Sequence, residues 1–222
     1  MNEIDANKLF DSLPMVVKTT LLKFQGKVFV GGGCLRDNIL GEDIKDIDIF
    51  STYGIQEEVK EYLKSKAYSY FTSNNATSFY IKGESIIQLI TKWTYQNAKE
   101  MIEDFDFTIN QIGLYVLENK PYVVYLDEFL EDIKTKRLTY TRPIRNEHCA
   151  GSLLRMVKFL GRGYTIDKES LSALIGRLVS VLPDVSKESS TSDTYNPDFY
   201  SEDDYSDKIF TLLESNKCTG GY

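Results

Sequence analysis

The stretch from Val28 to Phe50 constrains the fold of this chain more than any other. It begins with the apolar run Val28–Val30, continues through three consecutive glycines and a short amphipathic segment, and passes Gly41 before a second apolar run. That second run contains Asp46-Ile47-Asp48. The order of apolar runs and glycines predicts a strand, a glycine turn, a short helix, a turn and a second strand.

The polar residues of this stretch indicate a site for a metal ion and a nucleoside triphosphate. Asp46 and Asp48 share one face of the second predicted strand, because alternate side chains point the same way. Two adjacent carboxylates repel each other, and Mg²⁺, which prefers oxygen ligands and substrate phosphates, relieves that repulsion. Glycines allow the backbone to approach a phosphate closely, and a helix N-terminus offers free N–H groups to an anion. Taken singly, the glycines would equally indicate a tight turn and the Asp pair a solvated strand end.

The ordered combination closely resembles a known motif. The matching segments are Gly32-Gly33-Cys34-Leu35-Arg36-Asp37, Leu40-Gly41 and Lys45-Asp46-Ile47-Asp48. They resemble the nucleotidyltransferase motif of the bacterial-type (class II) tRNA CCA-adding enzymes and poly(A) polymerases, in the DNA polymerase β-like superfamily. The resemblance implies that Asp46 and Asp48 hold a catalytic Mg²⁺. It also implies that Gly32, Gly33 and Arg36 help to hold the triphosphate, with Asp37 as a structural partner nearby.

Further segments resemble the same family with substitutions. Asp106-Phe107-Thr108-Ile109-Asn110 is similar to a second family motif, which implies that Asp106 and Asn110 contact the ribose. The paired arginines before that motif are here Asp104 and Phe105. Gln88 occupies the position of a third carboxylate, so we treat it as a possible third metal-site position, with Glu84 as a substitute on the same face.

The segment from Ser152 to Asp167 resembles the helical neck of the family. It implies a nucleotide-binding role for Arg155, with Lys158 at a second basic position. The family's base-reading group falls on His148-Cys149-Ala150-Gly151-Ser152, where its polar readers are replaced.

Composition restricts the remaining function classes. The net charge of −7 argues against binding of nucleic acid by the whole surface. His148 is the single histidine, which argues against His-rich zinc sites and histidine-based catalytic triads. The three cysteines lack metal-binding spacing, and neither a signal peptide nor a membrane-spanning apolar run is evident. We therefore expect a cytoplasmic protein without a membrane partner.

The fold expected from the resemblance is α+β, with a mixed sheet of about five strands backed by helices and followed by a small helical neck. Apolar patterning predicts helices over 3–25, broken at Pro14, and over 54–66 and 168–181. It predicts strands over 68–72, 78–82, 85–91 and 122–126. We expect a nucleotidyltransferase head domain at 1–142, a neck at 143–184 and an acidic, partly disordered tail at 185–222, with a short helix in it.

The expected function follows from the resemblance. It implies a Mg²⁺-dependent transfer of a nucleoside monophosphate from an NTP, ATP and/or CTP, to an acceptor hydroxyl. The expected acceptor is an RNA 3′ end, such as that of a tRNA. Two alternatives stay open: a non-catalytic module that binds nucleotide, RNA or protein, and a nucleotidyltransferase whose acceptor is a protein or a small molecule.

Overall fold

The protein is described by a computed structural model that covers residues 4–141 and 149–181. The expected change from head to neck at 142/143, the residue His148 and the expected acidic tail at 185–222 lie outside the described residues.

A seven-stranded mixed sheet forms the centre of the described part. Its strands are β1 (Val28–Gly31), β2 (Asp46–Ser51), β3 (Ser69–Thr72), β4 (Ala76–Tyr80), β5 (Ile86–Ile90), β6 (Ile112–Leu117) and β7 (Lys120–Tyr125). They are arranged in the order β3-β4-β5-β2-β1-β6-β7. All neighbouring strands are antiparallel except β2 and β5, which are parallel. The α+β class expected from the sequence is confirmed, and the sheet is wider than the five strands expected.

Helices surround this sheet. They are α1 (Ala6–Ser12), α2 (Met15–Lys23), α3 (Gly33–Leu40), α4 (Gln56–Lys64), α5 (Ala98–Glu103), α6 (Asp127–Thr135), α7 (Cys149–Leu160) and α8 (Lys168–Val181), with a 3₁₀ turn at Thr108–Asn110. Two short strands, β8 (Arg137–Leu138) and β9 (Thr165–Ile166), pair in parallel and connect the segment after α6 to the segment between α7 and α8. No helix among the described residues is long and apolar enough to cross a lipid bilayer.

The strand that the sequence analysis did not predict is β6, which forms a hairpin with β7, the strand predicted over 122–126. Glu118 and Asn119, the two residues between these strands, both have positive φ angles, of 50° and 61°. Positive φ at both central residues characterises the two-residue turn that matches the twist of a hairpin. Pro121 is tolerated in β7 because this is an edge strand.

The two faces of the sheet are buried to different extents. On one face, Ile47 and Ile49 of β2 and Ile87 of β5 are fully buried in the main hydrophobic core. The other face, which we call the carboxylate face, carries Asp46 and Asp48. A smaller cluster around Met101 of α5 covers this face over β1, β6 and β7, and it extends to Phe50 near the end of β2 and to Ile90 at the end of β5.

Two glycines allow α5 to lie close to the carboxylate face. Gly31 of β1 and Gly113 of β6 are direct partners in the ladder. A Cβ atom built on Gly31 or Gly113 would lie only 2.6 or 2.9 Å from the terminal methyl group of Met101. Both positions therefore exclude a side chain, and Gly31 precedes the glycine turn directly.

Candidate active site

The carboxylate pair of β2 lies beside the glycine turn and the parallel strand β5. Asp46 and Asp48 are partly buried and alternate with the fully buried Ile47 and Ile49, as the sequence predicts. Asp48 is directly opposite Gln88 of β5. On the other side of β2, Val30 of β1 is paired with Ile49, which places the end of β1 alongside the two carboxylates.

The negative charge of this pair is poorly compensated. Burial, and then the neighbouring charge of Asp46, raise the pKa of Asp48 to about 7. Lys158 of α7 acts in the opposite direction and lowers this pKa, so its ammonium group lies within electrostatic reach of Asp48. Burial, with smaller contributions from Asp48 and Asp46, likewise raises the pKa of the Cys34 thiol, which makes that thiol a packing group and not a nucleophile.

The residues at this point fit a hard divalent cation. Two carboxylates and the amide of Gln88 offer oxygen ligands, and Mg²⁺ is usually bound by one or two carboxylates, waters and substrate phosphates. Burial and the charge of Asp46 raise the pKa of Asp48, and a bound cation would favour its ionised form. Among residues 4–141 and 149–181, no group of three or more His, Cys, Asp or Glu side chains is arranged to hold a metal ion. Glu84 therefore does not complete a three-carboxylate cluster, although one of its carboxylate oxygens is buried without a hydrogen-bond partner.

The glycine turn connects β1 to α3. Gly32 has φ 78° and ψ −136°, a conformation that side-chain-bearing residues avoid. Its N–H donates to the carbonyl of Ile112 at 3.0 Å, so the fold itself uses that amide. Gly33 is the first residue of α3, and the Arg36 guanidinium lies 3.3 Å from the position of a Cβ on Gly33.

Arg36 joins three elements and is only 3% exposed. Its Nη1 donates to Oδ1 of Asn110 at 2.5 Å, and its Nε and Nη2 donate to Oδ1 of Asp37 at 2.8 and 2.6 Å. Its guanidinium carbon also lies 4.8 Å from the centre of the Phe159 ring of α7. Asp37 thus pairs with Arg36, the structural role that the resemblance implies for it.

A second arginine contact lies next to the first. Arg155 of α7 donates from Nε to Oδ2 of Asp106 at 2.7 Å, and Asp106 is only 2% exposed. Asp132 of α6, which is fully buried, accepts from the Thr108 hydroxyl and from Nε of Arg137, and so fixes the turn between Asp106 and Asn110. We call Arg36, Asp37, Asn110, Arg155 and Asp106 the arginine network.

The sequence-predicted residues thus form two adjacent groups. Four residues expected to bind nucleotide, namely Arg36, Asp106, Asn110 and Arg155, are brought together as two hydrogen-bonded pairs. Asp46, Asp48 and Gln88 form the second group, and Lys158 extends from α7 towards it. Arg162 was not selected from the sequence, yet it contacts Glu42, lies 3.5 Å from Asp37 and is 5.6 Å from the Phe159 ring centre. Its segment, Gly161-Arg162-Gly163, contains no motif that could have identified it.

Solved structures with this fold include CCA-adding enzymes. The Thermotoga maritima CCA-adding enzyme complexed with tRNA_CCA aligns with a TM-score of 0.61 and 21% identity, over 80% of this chain and 46% of that chain. A CCA-adding enzyme in complex with CTP aligns with a TM-score of 0.60 and 21% identity, over 80% and 46% of the two chains. The complex with ATP gives a TM-score of 0.60 and 22% identity, over 80% and 45%. The chain thus spans less than half the length of these enzymes, and at this identity the likeness establishes the fold alone.

Family membership comes from a different comparison. No curated protein matches the sequence. A family model matches residues 3–136, which is more than half of the chain and includes the glycine turn, both carboxylates of β2 and the turn from Asp106 to Asn110. The family is thus distinct from the CCA-adding enzymes, whose fold it shares: the chain belongs to the Gabija anti-defense 2 (Gad2) family.

Proposed function

We propose that this protein is a Mg²⁺-dependent nucleotidyltransferase: an acceptor hydroxyl attacks the α-phosphorus of an NTP, a nucleoside monophosphate is transferred to that hydroxyl, and pyrophosphate and the hydroxyl proton are released. The observation that carries the proposal is the placement of Asp46 and Asp48 on one face of β2, with Asp48 opposite Gln88. Burial and the charge of Asp46 raise the pKa of Asp48 to about 7, which fits a site that takes up a cation. The likeness to CCA-adding enzymes in complex with ATP and with CTP supports the same reading and favours one or both of these nucleotides as the donor.

Asp46 and Asp48 would hold the Mg²⁺ ion, with the amide oxygen of Gln88 beside them. When bound, the ion polarises a phosphoryl oxygen and stabilises the charge that develops during an in-line displacement. Lys158 adds a cation near Asp48, because it is exposed and its charge lowers the pKa of that carboxylate. It would contact the triphosphate and supply part of the positive charge that is lost where Asp104 and Phe105 replace the two arginines of the CCA-adding family.

The arginine network would position the nucleoside. Arg155 and Arg36 hold the Asp106 carboxylate and the Asn110 amide in fixed orientations. A carboxylate accepts hydrogen bonds and an amide both donates and accepts, which suits the two ribose hydroxyls. Gly32 and Gly33, which carry no side chain, would let the triphosphate approach the start of α3. In this arrangement Arg36 supports the ribose site through Asn110 and also lies beside Gly33 at the triphosphate site. Arg155 supports the ribose site through Asp106.

The proposed acceptor is an RNA 3′ end. The Thermotoga maritima enzyme with this fold was solved with a tRNA, which supports an RNA acceptor. The family description adds a setting, because it names an activity against the Gabija defence. We propose that the transfer modifies an RNA on which that defence depends.

Label transfer tests this proposal. The purified protein is incubated with Mg²⁺, each α-labelled NTP in turn and total cellular RNA, with a reaction without RNA beside it. The matched control is the double variant Asp46→Asn plus Asp48→Asn, which keeps the shape of both side chains and removes both charges. Because a metal ion contributes several kcal/mol of transition-state stabilisation, we expect the double variant to lose at least about a thousandfold in rate.

The outcomes separate the possible functions. Label in RNA that depends on Asp46 and Asp48 supports the proposal and identifies the base. Label in protein or in a small product contradicts an RNA acceptor and retains the transferase. Two outcomes would contradict enzymatic activity: a folded wild-type protein that labels nothing, or a double variant that still counteracts Gabija in cells. Either outcome would favour a non-catalytic binding module, which the neutral side chain of Gln88 supports.

A further inference from the structure

Beyond Gln88, the part of the carboxylate face on β4 and β3 has no role in the proposed reaction and is at least partly exposed. Along β4 and β5, every second side chain is buried on the opposite face, and the intervening side chains are only partly buried. All four residues of β3, the edge strand, are exposed. The helix α5 lies over β1, β6 and β7, towards the other end of the sheet, and its cluster reaches only Ile90 on β5.

The strand register connects this open part directly to the carboxylate pair. Asp48 is opposite Gln88, Gln88 is opposite Ser78, and Ser78 is opposite Phe71 of β3. Residues that are direct partners across neighbouring strands project to the same face of a sheet. The row from Asp48 to Phe71 therefore lies entirely on the carboxylate face, and it ends on an aromatic side chain that is 61% exposed.

A second aromatic residue lies next to the end of this row. Tyr80 is two residues from Ser78 on β4, so it projects to the same face. Residues diagonal to each other on neighbouring strands are about 7–8 Å apart, a distance that aromatic side chains bridge. We call Gln88, Ser78, Phe71 and Tyr80 the aromatic strip.

The groups proposed to hold the nucleotide all lie on the other side of β2. Arg36 follows β1, Asn110 precedes β6, and Phe159 of α7 packs against Arg36. In an in-line displacement the attacking and leaving oxygens are on opposite sides of the phosphorus. An acceptor would therefore approach the carboxylates from the β5, β4 and β3 side, which the aromatic strip occupies.

We infer that the aromatic strip binds the acceptor as a single-stranded nucleic acid, with bases stacked on Phe71 and Tyr80. This inference rests on the proposed function and specifies the acceptor further. Three strand spacings separate Asp48 from Phe71, a distance of about 14 Å. At a rise of about 3.4 Å per stacked nucleotide, the base on Phe71 belongs to a nucleotide about four positions from the reacting end.

Stacking, and not phosphate neutralisation, carries this contact. The chain has a net charge of −7, and the row itself contains no cationic side chain. Base stacking on an aromatic side chain tolerates any sequence, because every base has a π face. We therefore expect binding with little sequence preference and with a shallower dependence on salt than a basic groove shows.

Equilibrium binding of a fluorescein-labelled single-stranded RNA of twelve nucleotides tests the inference, with fluorescence anisotropy as the readout. The variant is Phe71→Ala, and Phe71→Trp should retain binding. Tyr70→Ala is the matched control, since Tyr70 is the adjacent residue, is 53% exposed and projects to the opposite face next to Phe79. We expect Phe71→Ala to weaken binding about tenfold, and Tyr70→Ala to leave it unchanged.

Equal effects of Phe71→Ala and Tyr70→Ala, no effect of either, or loss of binding in Phe71→Trp would overturn the inference. The double variant Asp46→Asn plus Asp48→Asn should bind the RNA as well as the wild type does, which separates this test from that of the proposed function. If RNA binding depends on Phe71 but no nucleotide is transferred, the proposed enzymatic activity is wrong and the role of the aromatic strip in RNA binding stands. If nucleotide is transferred to RNA regardless of the residue at position 71, the role of the aromatic strip is wrong and the enzymatic activity stands.

Discussion

The carboxylate pair of β2 and the arginine network lie side by side, and they differ in how their charges are balanced. In the network, Asp106 is almost fully buried and pairs with Arg155, while Arg36 pairs with Asp37. In the carboxylate pair, Asp46 and Asp48 repel each other. The only positive charge found to lower the pKa of Asp48 is that of the exposed Lys158. In the arginine network each carboxylate has an arginine partner, whereas the carboxylate pair needs an added cation to balance its charge.

This difference separates residues that support the site from residues that await a ligand. Breaking a balanced, buried ion pair leaves an uncompensated charge and destabilises the fold. Neutralising one of two repelling carboxylates removes a repulsion and should cost no stability. Substitutions in the arginine network are therefore expected to lower the stability of the fold. Substitutions in the carboxylate pair are expected to lower the activity without lowering the stability.

The largest effect on stability is expected at Arg155. Arg155→Leu leaves the carboxylate of Asp106 buried without its partner and should lower the free energy of unfolding by about 3 kcal/mol. Asp48→Asn should leave it unchanged or raise it. Urea denaturation monitored by circular dichroism measures both variants.

A second substitution shows whether charge is the cause. Arg155→Leu combined with Asp106→Asn removes both members of the ion pair and should recover more than half of the lost stability. If Arg155→Leu costs under 0.5 kcal/mol, a typical surface effect, the network is not the balanced structural unit described here.

The sequence predicts the carboxylate pair better than it predicts the network. The positions of Asp46 and Asp48 follow from local alternation with Ile47 and Ile49, which a strand imposes on any such pattern. The pairing of Asp106 with Arg155 joins residues 49 positions apart and depends on how α7 docks, which no local pattern encodes. The motif resemblance identified these two residues as part of one site, but not as partners of each other.

The strand β6 shows the same limit for the fold. Ile112–Leu117 is buried on both faces over most of its length, by the main core on one side and by α5 on the other. A strand buried on both faces loses the apolar–polar alternation by which strands are recognised, and short apolar runs are ambiguous without it. The seven-stranded width of the sheet was accordingly missed, whereas the half-exposed strands β4 and β5, with clear alternation, were expected.

The pH dependence of stability provides the second test of the comparison. Asp48 keeps its proton up to about pH 7 in the fold, whereas an unperturbed aspartate releases it near 3.8. Between these values the native state binds more protons than the unfolded state, so the free energy of unfolding falls as the pH rises. Asp46 raises this pKa and Lys158 lowers it, and burial is the largest cause.

The measurement compares the wild type with Asp48→Asn without divalent ions, from pH 4 to 8. As the pH rises towards 7, the free energy of unfolding of the wild type should fall relative to that of Asp48→Asn by up to about 1 kcal/mol per pH unit. Above pH 7 the difference between the two proteins should become constant. Excess Mg²⁺ should reduce this difference, because the ion binds the ionised carboxylates. Parallel curves for the two proteins would contradict a raised pKa at Asp48.

The smallest effect is expected when a negative charge is added at Gln88, the possible third position of the metal site. Gln88→Glu places a third carboxylate opposite Asp48 in the ladder, where the wild type has a neutral amide. A unit charge added about 4 Å from a divalent ion contributes about 2 kcal/mol even at the dielectric constant of water, so Mg²⁺ should bind about thirtyfold more tightly in calorimetric titrations without nucleotide. The protein without metal should lose a similar amount of stability, because three carboxylates then repel one another.

The control is Gln96→Glu, which makes the same change in net charge at an exposed position. It should alter neither the affinity for Mg²⁺ nor the stability. If Gln88→Glu fails to strengthen Mg²⁺ binding while Gln96→Glu behaves as expected, the ion does not bind on the carboxylate face beside β5, and the assignment of Asp46 and Asp48 as its ligands is wrong.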